Sequence, residues 1–249
     1  MLYFIFIIGA IFGSFYGVVG TRLPEEKSIV KPGSHCEKCG HYLKWYENIP
    51  LLSYIFLGGH CKKCKIPIGF VYFMTELLSG CLFALCYKVF GISYEFFIAV
   101  ILSSLVIIIF VSDSKYMIIN DSPLIVSAIL IFIIKWLDTG IVSALLSLVY
   151  GLIIFGAAYL LMLFGSLAFK QEALGGGDIK LSFVAGMVLG VKLGILYIVL
   201  ASFLAFPYAV YVTLKNKDNM LPFGPFLVSS LLIIYLNMNI ISEIIKVIF

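Results

Sequence analysis

The sequence predicts an all-α polytopic membrane protein with about eight transmembrane helices and one small polar insert. Of its 249 residues, 62% are hydrophobic and 12% are charged, whereas soluble domains hold roughly 45–50% apolar and about 25% charged residues. The apolar runs are about 20 residues long, as a membrane-spanning helix requires, and they lack the strict alternation of barrel strands. These observations exclude a soluble α/β fold.

Residues 1–20 are predicted to form the first span. Gly9, Gly13 and Gly17 recur at four-residue spacing, so they share one helix face on which a second helix can approach closely. The N-terminus lacks a basic region and a small-residue cleavage site, so we expect a retained span and not a removed signal peptide.

Seven further apolar segments follow the polar insert and bring the count to eight. The two segments between residues 179 and 213 are weakly separated, because Lys192 and Gly194 are the only turn signals there. The seven predicted spans are residues 70–90, 94–112, 122–137, 140–165, 179–195, 196–213 and 222–246.

The positions of Lys and Arg predict the orientation. Of the 17 Lys and Arg residues, all but Lys88, Lys135, Lys192 and Lys246 lie in the insert or in alternate loops on the same side. Loops rich in Lys and Arg stay in the cytoplasm, so we expect a cytoplasmic insert and both termini outside. This split also favours the eight-span count, because a missed span would mix the two sides.

Residues 21–70 form the polar insert, which contains two CxxC pairs joined by 21 residues. A segment of this length cannot build a large core and needs a staple. Two CxxC turns can supply four thiolates to one tetrahedral Zn²⁺. Two disulfides are the rival interpretation, which a cytoplasmic location disfavours because thiols stay reduced there. We therefore predict a cytoplasmic zinc-binding insert with structural Zn²⁺ on Cys36, Cys39, Cys61 and Cys64.

The other polar residues of the insert, and two cysteines outside it, are predicted to have supporting, surface or packing roles. Glutamates interrupt its basic residues, so we expect no nucleic-acid partner. His35, His41 and His60 lie near the cysteines, and we expect them to support the ligands or to lie at the surface. Cys81 and Cys86, in the next apolar run, are predicted to be small buried hydrophobes.

Ionisable residues at the ends of spans are functional hypotheses by default. Asp113 ends the third predicted span, and Asp178 begins the sixth, directly after Gly175–Gly177. The predicted orientation puts both carboxylates at the cytoplasmic edge of the membrane, on different helices. Glu76 and Asp121 also lie within or at the ends of spans.

Two carboxylates held close together share one proton, and one can activate water while the other donates to a peptide carbonyl. Alternatives remain open, since Asp178 could be a helix N-cap and Asp113 a polar helix end beside Lys115. The glycines before Asp178 lack the spacing of a phosphate-binding loop. Close approach of an extended peptide backbone suits them better.

A series of motifs extends over nearly the whole chain in one order. They are Gly13-Ser14-Phe15, Thr21-Arg22-Leu23-Pro24, Cys36-Glu37-Lys38-Cys39-Gly40, Trp45-Tyr46-Glu47-Asn48-Ile49-Pro50, Cys61-Lys62-Lys63-Cys64, Glu76-Leu77-Leu78-Ser79-Gly80, Gly175-Gly176-Gly177-Asp178-Ile179-Lys180 and Pro222-Phe223-Gly224-Pro225. In this order and spacing the chain resembles the type IV prepilin peptidases, which are membrane aspartic proteases of the Gly-x-Gly-Asp group.

The resemblance implies a function and a catalytic pair. Prepilins or pseudopilins would be the substrates, and their basic leader would be removed at the cytoplasmic face of the plasma membrane. Asp113 and Asp178 fit the catalytic positions, with Asp121 closing the stretch that Asp113 opens. Asn120 stands where the family usually has proline, and Lys115 where it often has a second acid.

The resemblance also implies a second activity and a division of the chain. Family members with the cysteine insert also N-methylate the new amino terminus with S-adenosylmethionine, for which no cofactor loop can be assigned here. Glu76 could be a polar group near that second site, or it could make a hydrogen bond between packed helices. The predicted domains are a first transmembrane helix (1–20), a methyltransferase-associated zinc insert (21–70) and a transmembrane protease domain (71–249).

Two other classes of function are weighed against this one. A carrier or channel would place its acidic residues near mid-span, whereas Asp113, Asp121 and Asp178 lie at span ends. A redox membrane protein would cycle the CxxC thiols, and a tightly bound zinc would argue against that.

Overall fold

A computed structural model describes residues 1–169, 175–215, 221–241 and 243, and its long elements are helices. Six of these helices are long and apolar enough to cross a membrane, which confirms the all-α membrane class. The helices are α1 (Leu2–Arg22), α2 (Leu52–Phe56), α3 (Phe70–Phe90), α4 (Tyr94–Tyr116), α5 (Asp121–Thr139), α6 (Ile141–Phe169), α7 (Gly176–Leu214) and α8 (Gly224–Leu236).

Glycines allow α1 to pack tightly against α3. A Cβ added at Gly9 would lie 2.8 Å from the Ser79 carbonyl oxygen, and one added at Gly13 would lie 2.6 Å from the Thr75 carbonyl oxygen. Such contacts are possible only without a side chain. The predicted close-approach face of the first span is therefore confirmed.

Helix α4 lies at the centre of the bundle, where it packs against α1, α3, α5 and α8. Leu102, Leu105 and Ile109 along its length are almost completely buried. It ends at Met117, a left-handed residue whose N–H donates to the Asp113 carbonyl oxygen over 2.9 Å. This central position places the last turn of α4, which carries Asp113, inside the bundle.

Helix α7 is a helical hairpin that reverses at Gly190. Gly190 has φ 71° and ψ −172°, which is far from helical values. Cβ atoms added at Gly186 and Gly194 would lie 2.9 and 2.7 Å from the same Ile154 side chain. In a straight helix these two glycines would be about 12 Å apart along the axis, so the halves of α7 lie side by side.

Contacts at the break and at the start of α7 agree with this reversal. Lys135 Nζ donates to the Met187 carbonyl oxygen over 2.6 Å, in the last turn before the break, where helix carbonyls lack partners. At the other end, Cβ atoms added at Gly177 and Gly224 would both meet Ile119. The chain therefore leaves this end of the bundle at Gly177 and has returned to it by Gly224.

The predicted boundary between the sixth and seventh spans is corrected by this geometry. The sequence placed it at residues 195 and 196, on the strength of Lys192 and Gly194, but the chain turns at Gly190. A reversal this tight needs a backbone conformation that only glycine adopts readily. With α7 counted as two segments, the six long helices provide seven apolar segments and the shorter α8 an eighth. The count of eight membrane spans stays a prediction. The end of the last predicted span, 222–246, lies outside the described residues.

The two cysteines of α3 differ in environment. Cys86 is buried, and its sulfur lies 3.3 Å from the Ser103 hydroxyl oxygen. Cys81 is exposed at the outer surface of the bundle. The prediction that both are buried hydrophobes is right for Cys86 and wrong for Cys81, which lies on the outward face of its helix.

Candidate active site and metal centre

Asp113 is a buried carboxylate in the last turn of α4. Its Oδ2 atom accepts a hydrogen bond of 3.0 Å from the backbone N–H of Gly224, at the start of α8. The first backbone N–H groups of a helix have no partner within that helix, so this bond satisfies one of them. Asp113 is thus held by a second helix, and its predicted neighbour Lys115 plays no part in this contact.

Asp178 is also buried, in the first turn of α7. Its Oδ2 accepts a hydrogen bond of 3.2 Å from the N–H of Gly175. Gly175 is the N-cap residue and Asp178 is the third helical residue, so the suggestion that Asp178 itself is the N-cap is wrong. Among the residues that the structure describes, the Oδ1 atom of Asp178 has no hydrogen-bond partner.

The fold brings the two carboxylates together at one end of the bundle. They are close enough for the charge of Asp113 to act on Asp178. The residues beside them, Gly177 and Gly224, both pack on Ile119 in the α4–α5 connection. Two buried carboxylates in this position can share a proton and can activate water as a pair.

The three glycines before Asp178 have different environments. A Cβ added at Gly177 would lie 2.6 Å from the Ile119 Cβ, whereas one added at Gly176 would have no atom within 4 Å. Gly177 is therefore required for packing within the protein. Gly176 faces open space, where another backbone could approach.

Asp121 does not belong to this carboxylate pair. Its two carboxylate oxygens accept hydrogen bonds of 2.7 and 2.8 Å from Lys180 Nζ. About half of each side chain is exposed. This ion pair joins the start of α5 to the first turn of α7, near Asp178.

The four insert cysteines form a compact cluster. Their sulfur atoms all lie within 4.8 Å of one another, with Cys36 and Cys64 at 3.7 Å and Cys39 and Cys61 at 3.9 Å. Zinc–sulfur bonds of about 2.3 Å in a tetrahedron separate the sulfurs by about 3.8 Å. The cluster is thus compatible with a structural zinc ion.

The two CxxC turns are built alike. His35 pairs with Tyr42 across the first turn, and His60 with Pro67 across the second. Gly40 and Lys65, which follow the two pairs, both have positive φ values, of 66° and 58°. The sequence hides this similarity between the two CxxC turns, because Lys65 stands where a glycine is expected.

Backbone amides prepare two of these cysteines, Cys36 and Cys61, to act as ligands. N–H groups of Cys39 and Lys38 lower the pKa of the Cys36 thiol to about 6. Those of Cys64 and Lys63 lower the pKa of Cys61. Both effects favour the thiolate, which is the form that binds a metal.

The histidines stay outside the sulfur cluster, as predicted. His35 and His60 each place Nδ1 within hydrogen-bond distance of the carbonyl oxygen two residues earlier, at 2.8 and 2.5 Å. The His41 ring lies 3.1 Å from the buried carboxylate of Glu47. The Lys44 N–H, and then His41, lower the pKa of Glu47. Glu47 therefore acts as a charged link within the insert.

Glu76 joins α3 to the insert. Its Oε2 accepts a hydrogen bond of 2.7 Å from the N–H of Leu51, and its side chain is buried. Ser14 of the neighbouring α1 also interacts with this carboxylate, so Glu76 contacts both a loop and a packed helix, and the suggested bond between packed helices agrees with the structure. The sequence gives no signal for the Leu51 contact, which spans 25 positions.

Two contacts of the site do not follow from the sequence. Gly224, whose N–H donates to Asp113, belongs only to a family motif in the sequence, and no pattern marks Ile119, on which Gly177 and Gly224 both pack. The Pro222-Phe223-Gly224-Pro225 run could have signalled a constrained helix start. Nothing in the local sequence connects it with Asp113, 111 positions earlier.

Fold and site together define a polytopic helical membrane protein with a buried carboxylate pair and a four-cysteine insert. The model of the bacterial peptidase A24 N-terminal domain matches residues 7–90. The model of the type IV leader peptidase family matches residues 100–210, a range that contains both Asp113 and Asp178. The chain belongs to the type IV leader peptidase family, as the sequence resemblance predicted.

Named relatives match nearly the whole chain. The prepilin leader peptidase/N-methyltransferase of Bacillus subtilis is 39% identical over 239 residues, which are 95% of this chain and 94% of the relative. Proteins of the same name are 28% identical in Vibrio cholerae (94% of this chain, 96% of the relative) and 29% identical in Pseudomonas aeruginosa (89% and 85%). No solved structure matches the chain significantly.

Proposed function

We propose that this protein removes the leader peptide from type IV prepilins or pseudopilins and then methylates the new amino terminus. The observation that carries the proposal is the burial of Asp113 and Asp178 together at one end of the bundle, within the peptidase region of the chain. Membership in the family and the names of the relatives support both activities.

We propose that Asp113 and Asp178 are the catalytic residues. The pair shares one proton, and the ionised member takes a proton from water as the water oxygen attacks the peptide carbonyl carbon. The protonated member donates to the carbonyl oxygen. Collapse of the tetrahedral intermediate breaks the C–N bond, and the pair returns a proton to the leaving amine.

The hydrogen bonds of the pair position it for this reaction. The Gly224 N–H fixes Asp113 through Oδ2, and the Gly175 N–H fixes Asp178 through Oδ2. The Oδ1 atom of Asp178 is buried and has no hydrogen-bond partner within the described residues, so a hydrogen bond from a bound substrate would satisfy it. Rigid carboxylates at a fixed separation favour the near-attack geometry on which such catalysis depends.

We further propose that a structural Zn²⁺ fixes the insert, held by Cys36, Cys39, Cys61 and Cys64. S-adenosylmethionine would supply the methyl group. The insert faces the cytoplasm from the plasma membrane, as the distribution of Lys and Arg predicts. The chain divides into the first helix (1–20), the methyltransferase-associated insert (21–70) and the protease domain (71–249).

One experiment tests both activities. The purified protein in lipid bilayers is incubated with a prepilin and methyl-labelled S-adenosylmethionine, and the products are identified by mass spectrometry. We expect a single cut between leader and mature segment, and a methyl group on the new amino terminus. An intact prepilin together with ion or solute flux in liposomes would instead favour a carrier.

A further inference from the structure

The polar insert contains one stretch, residues 49–59, that carries no charged side chain and includes the short helix α2. Three large apolar residues of this helix are exposed, with Leu52 at 51%, Ile55 at 61% and Phe56 at 82%. Their spacing of three and four residues puts them on one face of α2. Adjacent apolar side chains rimmed by polar residues mark a surface that meets a partner or a membrane.

A hydrogen bond to α3 shows the depth at which this stretch lies. The Leu51 N–H, directly before α2, donates to Glu76 Oε2 over 2.7 Å. Glu76 is six residues beyond the start of α3 at Phe70, which is about 9 Å along the helix axis. The 21 residues of α3 span about 31 Å, and the apolar core of a bilayer is about 30 Å thick. Leu51 therefore lies level with the second turn of a membrane-spanning helix.

Helix α2 then leads the chain back along the first turns of α3. The Tyr54 ring packs on the rings of Phe70 and Phe73, with centroids 6.4 and 5.1 Å away. Further on, the Ile68 N–H donates to the Gly59 carbonyl oxygen over 2.7 Å, just before α3 begins. The whole of α2 thus lies beside the end of α3 that adjoins the insert.

The apolar face of α2 points away from α3. Successive helix residues are about 100° apart, so Tyr54, which packs on α3, lies roughly opposite Leu52 around the axis. At the same level the start of α3 has its own exposed apolar surface, with Phe70 at 58% and Val71 at 54%. Lipid covers the outward side chains of a membrane-spanning helix, and the face of α2 continues that surface.

We propose that Leu52, Ile55 and Phe56 insert into the lipid beside α3 and anchor the insert to the bilayer. An apolar helix face of this kind lies roughly 5–10 Å deep, at the boundary between headgroups and acyl chains. Trp45, a few residues earlier, is 80% exposed, and tryptophan is enriched at the membrane interface. Lipid on one side and Glu76 on the other would then fix the insert. This anchoring does not depend on the proposed peptidase activity.

Tryptophan fluorescence of the full-length protein in nanodiscs, one copy per disc, tests the anchoring. Both native tryptophans are replaced, as Trp45→Phe and Trp136→Phe, and one tryptophan is added as Phe56→Trp. Tyr42→Trp in the same background is the control, because Tyr42 lies in the first CxxC turn and is 65% exposed. Acrylamide quenches tryptophan from water, and lipids brominated on their acyl chains quench it from the membrane.

We expect acrylamide to quench Phe56→Trp with a constant about threefold smaller than that of Tyr42→Trp, because the apolar face lies roughly 5–10 Å deep. Brominated lipid should quench Phe56→Trp and leave Tyr42→Trp nearly unchanged. Leu52→Trp reports on the same face at its other end and should behave like Phe56→Trp. Zinc content and the midpoint of thermal unfolding show that each variant is folded.

Two results would overturn the anchoring. One is equal acrylamide quenching of Phe56→Trp and Tyr42→Trp without any effect of brominated lipid, which would place α2 in water. The other is protection of Phe56→Trp from acrylamide only in discs that hold two copies, which would assign this face to a contact between copies. Prepilin cleavage in the same discs reports separately on the proposed function.

Discussion

The backbone N–H of Gly224 donates a hydrogen bond of 3.0 Å to Oδ2 of Asp113, and this bond ties the start of α8 to the last turn of α4. The two residues are 111 positions apart. Because Asp178 approaches Asp113 from α7, three helices must be correctly placed for the carboxylate pair to form. Gly177 and Gly224 lie at the contacts between these helices, so the geometry of the pair depends on close packing at these two glycines.

Gly224→Ala tests this dependence directly. An added Cβ would lie 2.9 Å from Asp113 Oδ2 and 2.8 Å from Ile119 Cδ1, so the carboxylate or the helix must shift. Misplacement by about 1 Å can lower a rate on the order of 10²-fold. We expect kcat for prepilin cleavage to fall by about that factor, while Gly156→Ala, in open space, retains activity. Normal cleavage by Gly224→Ala would show that the close contact is not needed.

Adjacent glycines before Asp178 should respond differently to the same change. Gly177→Ala brings a Cβ to 2.6 Å from the Ile119 Cβ, whereas Gly176→Ala meets nothing within 4 Å. Overpacking costs about 1–3 kcal/mol, so Gly177→Ala should lower the midpoint of thermal unfolding in detergent. Gly176→Ala should unfold like the original protein. Equal midpoints for the two variants would contradict this account of Gly177.

The reversal at Gly190 predicts where the chain emerges from the membrane. A cysteine at Lys192 should react with a membrane-impermeant thiol reagent only from the side opposite the insert. A cysteine at Glu26, in the insert, should react only from the insert side. Reaction of both positions from one side would contradict the hairpin, as would an unchanged unfolding midpoint in Gly190→Ala, where alanine strain costs roughly 1–3 kcal/mol.

The four-cysteine cluster predicts one zinc ion per chain. Cys61→Ser removes a buried member of the cluster, so metal analysis should show loss of zinc, and limited proteolysis should cut the insert faster. Cys81→Ser changes an exposed cysteine of α3 outside the cluster and should retain the zinc. Retention of zinc by Cys61→Ser would exclude this residue as a ligand.

Much of the architecture could be predicted from the sequence because its physical causes are local. Apolar runs of about 20 residues dictate membrane helices, and two CxxC turns dictate a four-thiolate cluster. The placement of Asp113 and Asp178 at helix ends followed from the same runs. Each of these predictions depends on residues close together in the chain.

The features that escaped prediction depend on distant contacts or on backbone conformation. In the sequence, Gly190 looks like an ordinary glycine within a helix, and only its φ of 71° shows that the chain reverses there. The bond from Leu51 to Glu76 joins a loop to a helix across 25 positions. The bond from Gly224 to Asp113 joins two helices, and no periodicity or composition records it.

The central claim is that Asp113 and Asp178 act as one catalytic pair, and single substitutions in reconstituted protein test it most directly. Asp121→Asn is the control, since within the described residues the Asp121 side chain forms an exposed ion pair with Lys180, of the kind worth about 0–1 kcal/mol. We expect Asp113→Asn and Asp178→Asn each to lower kcat for prepilin cleavage by about 10²- to 10⁴-fold or more, with zinc content and unfolding midpoint retained, and Asp121→Asn to cleave at nearly the original rate. Normal cleavage by either Asp113→Asn or Asp178→Asn would contradict the catalytic pair.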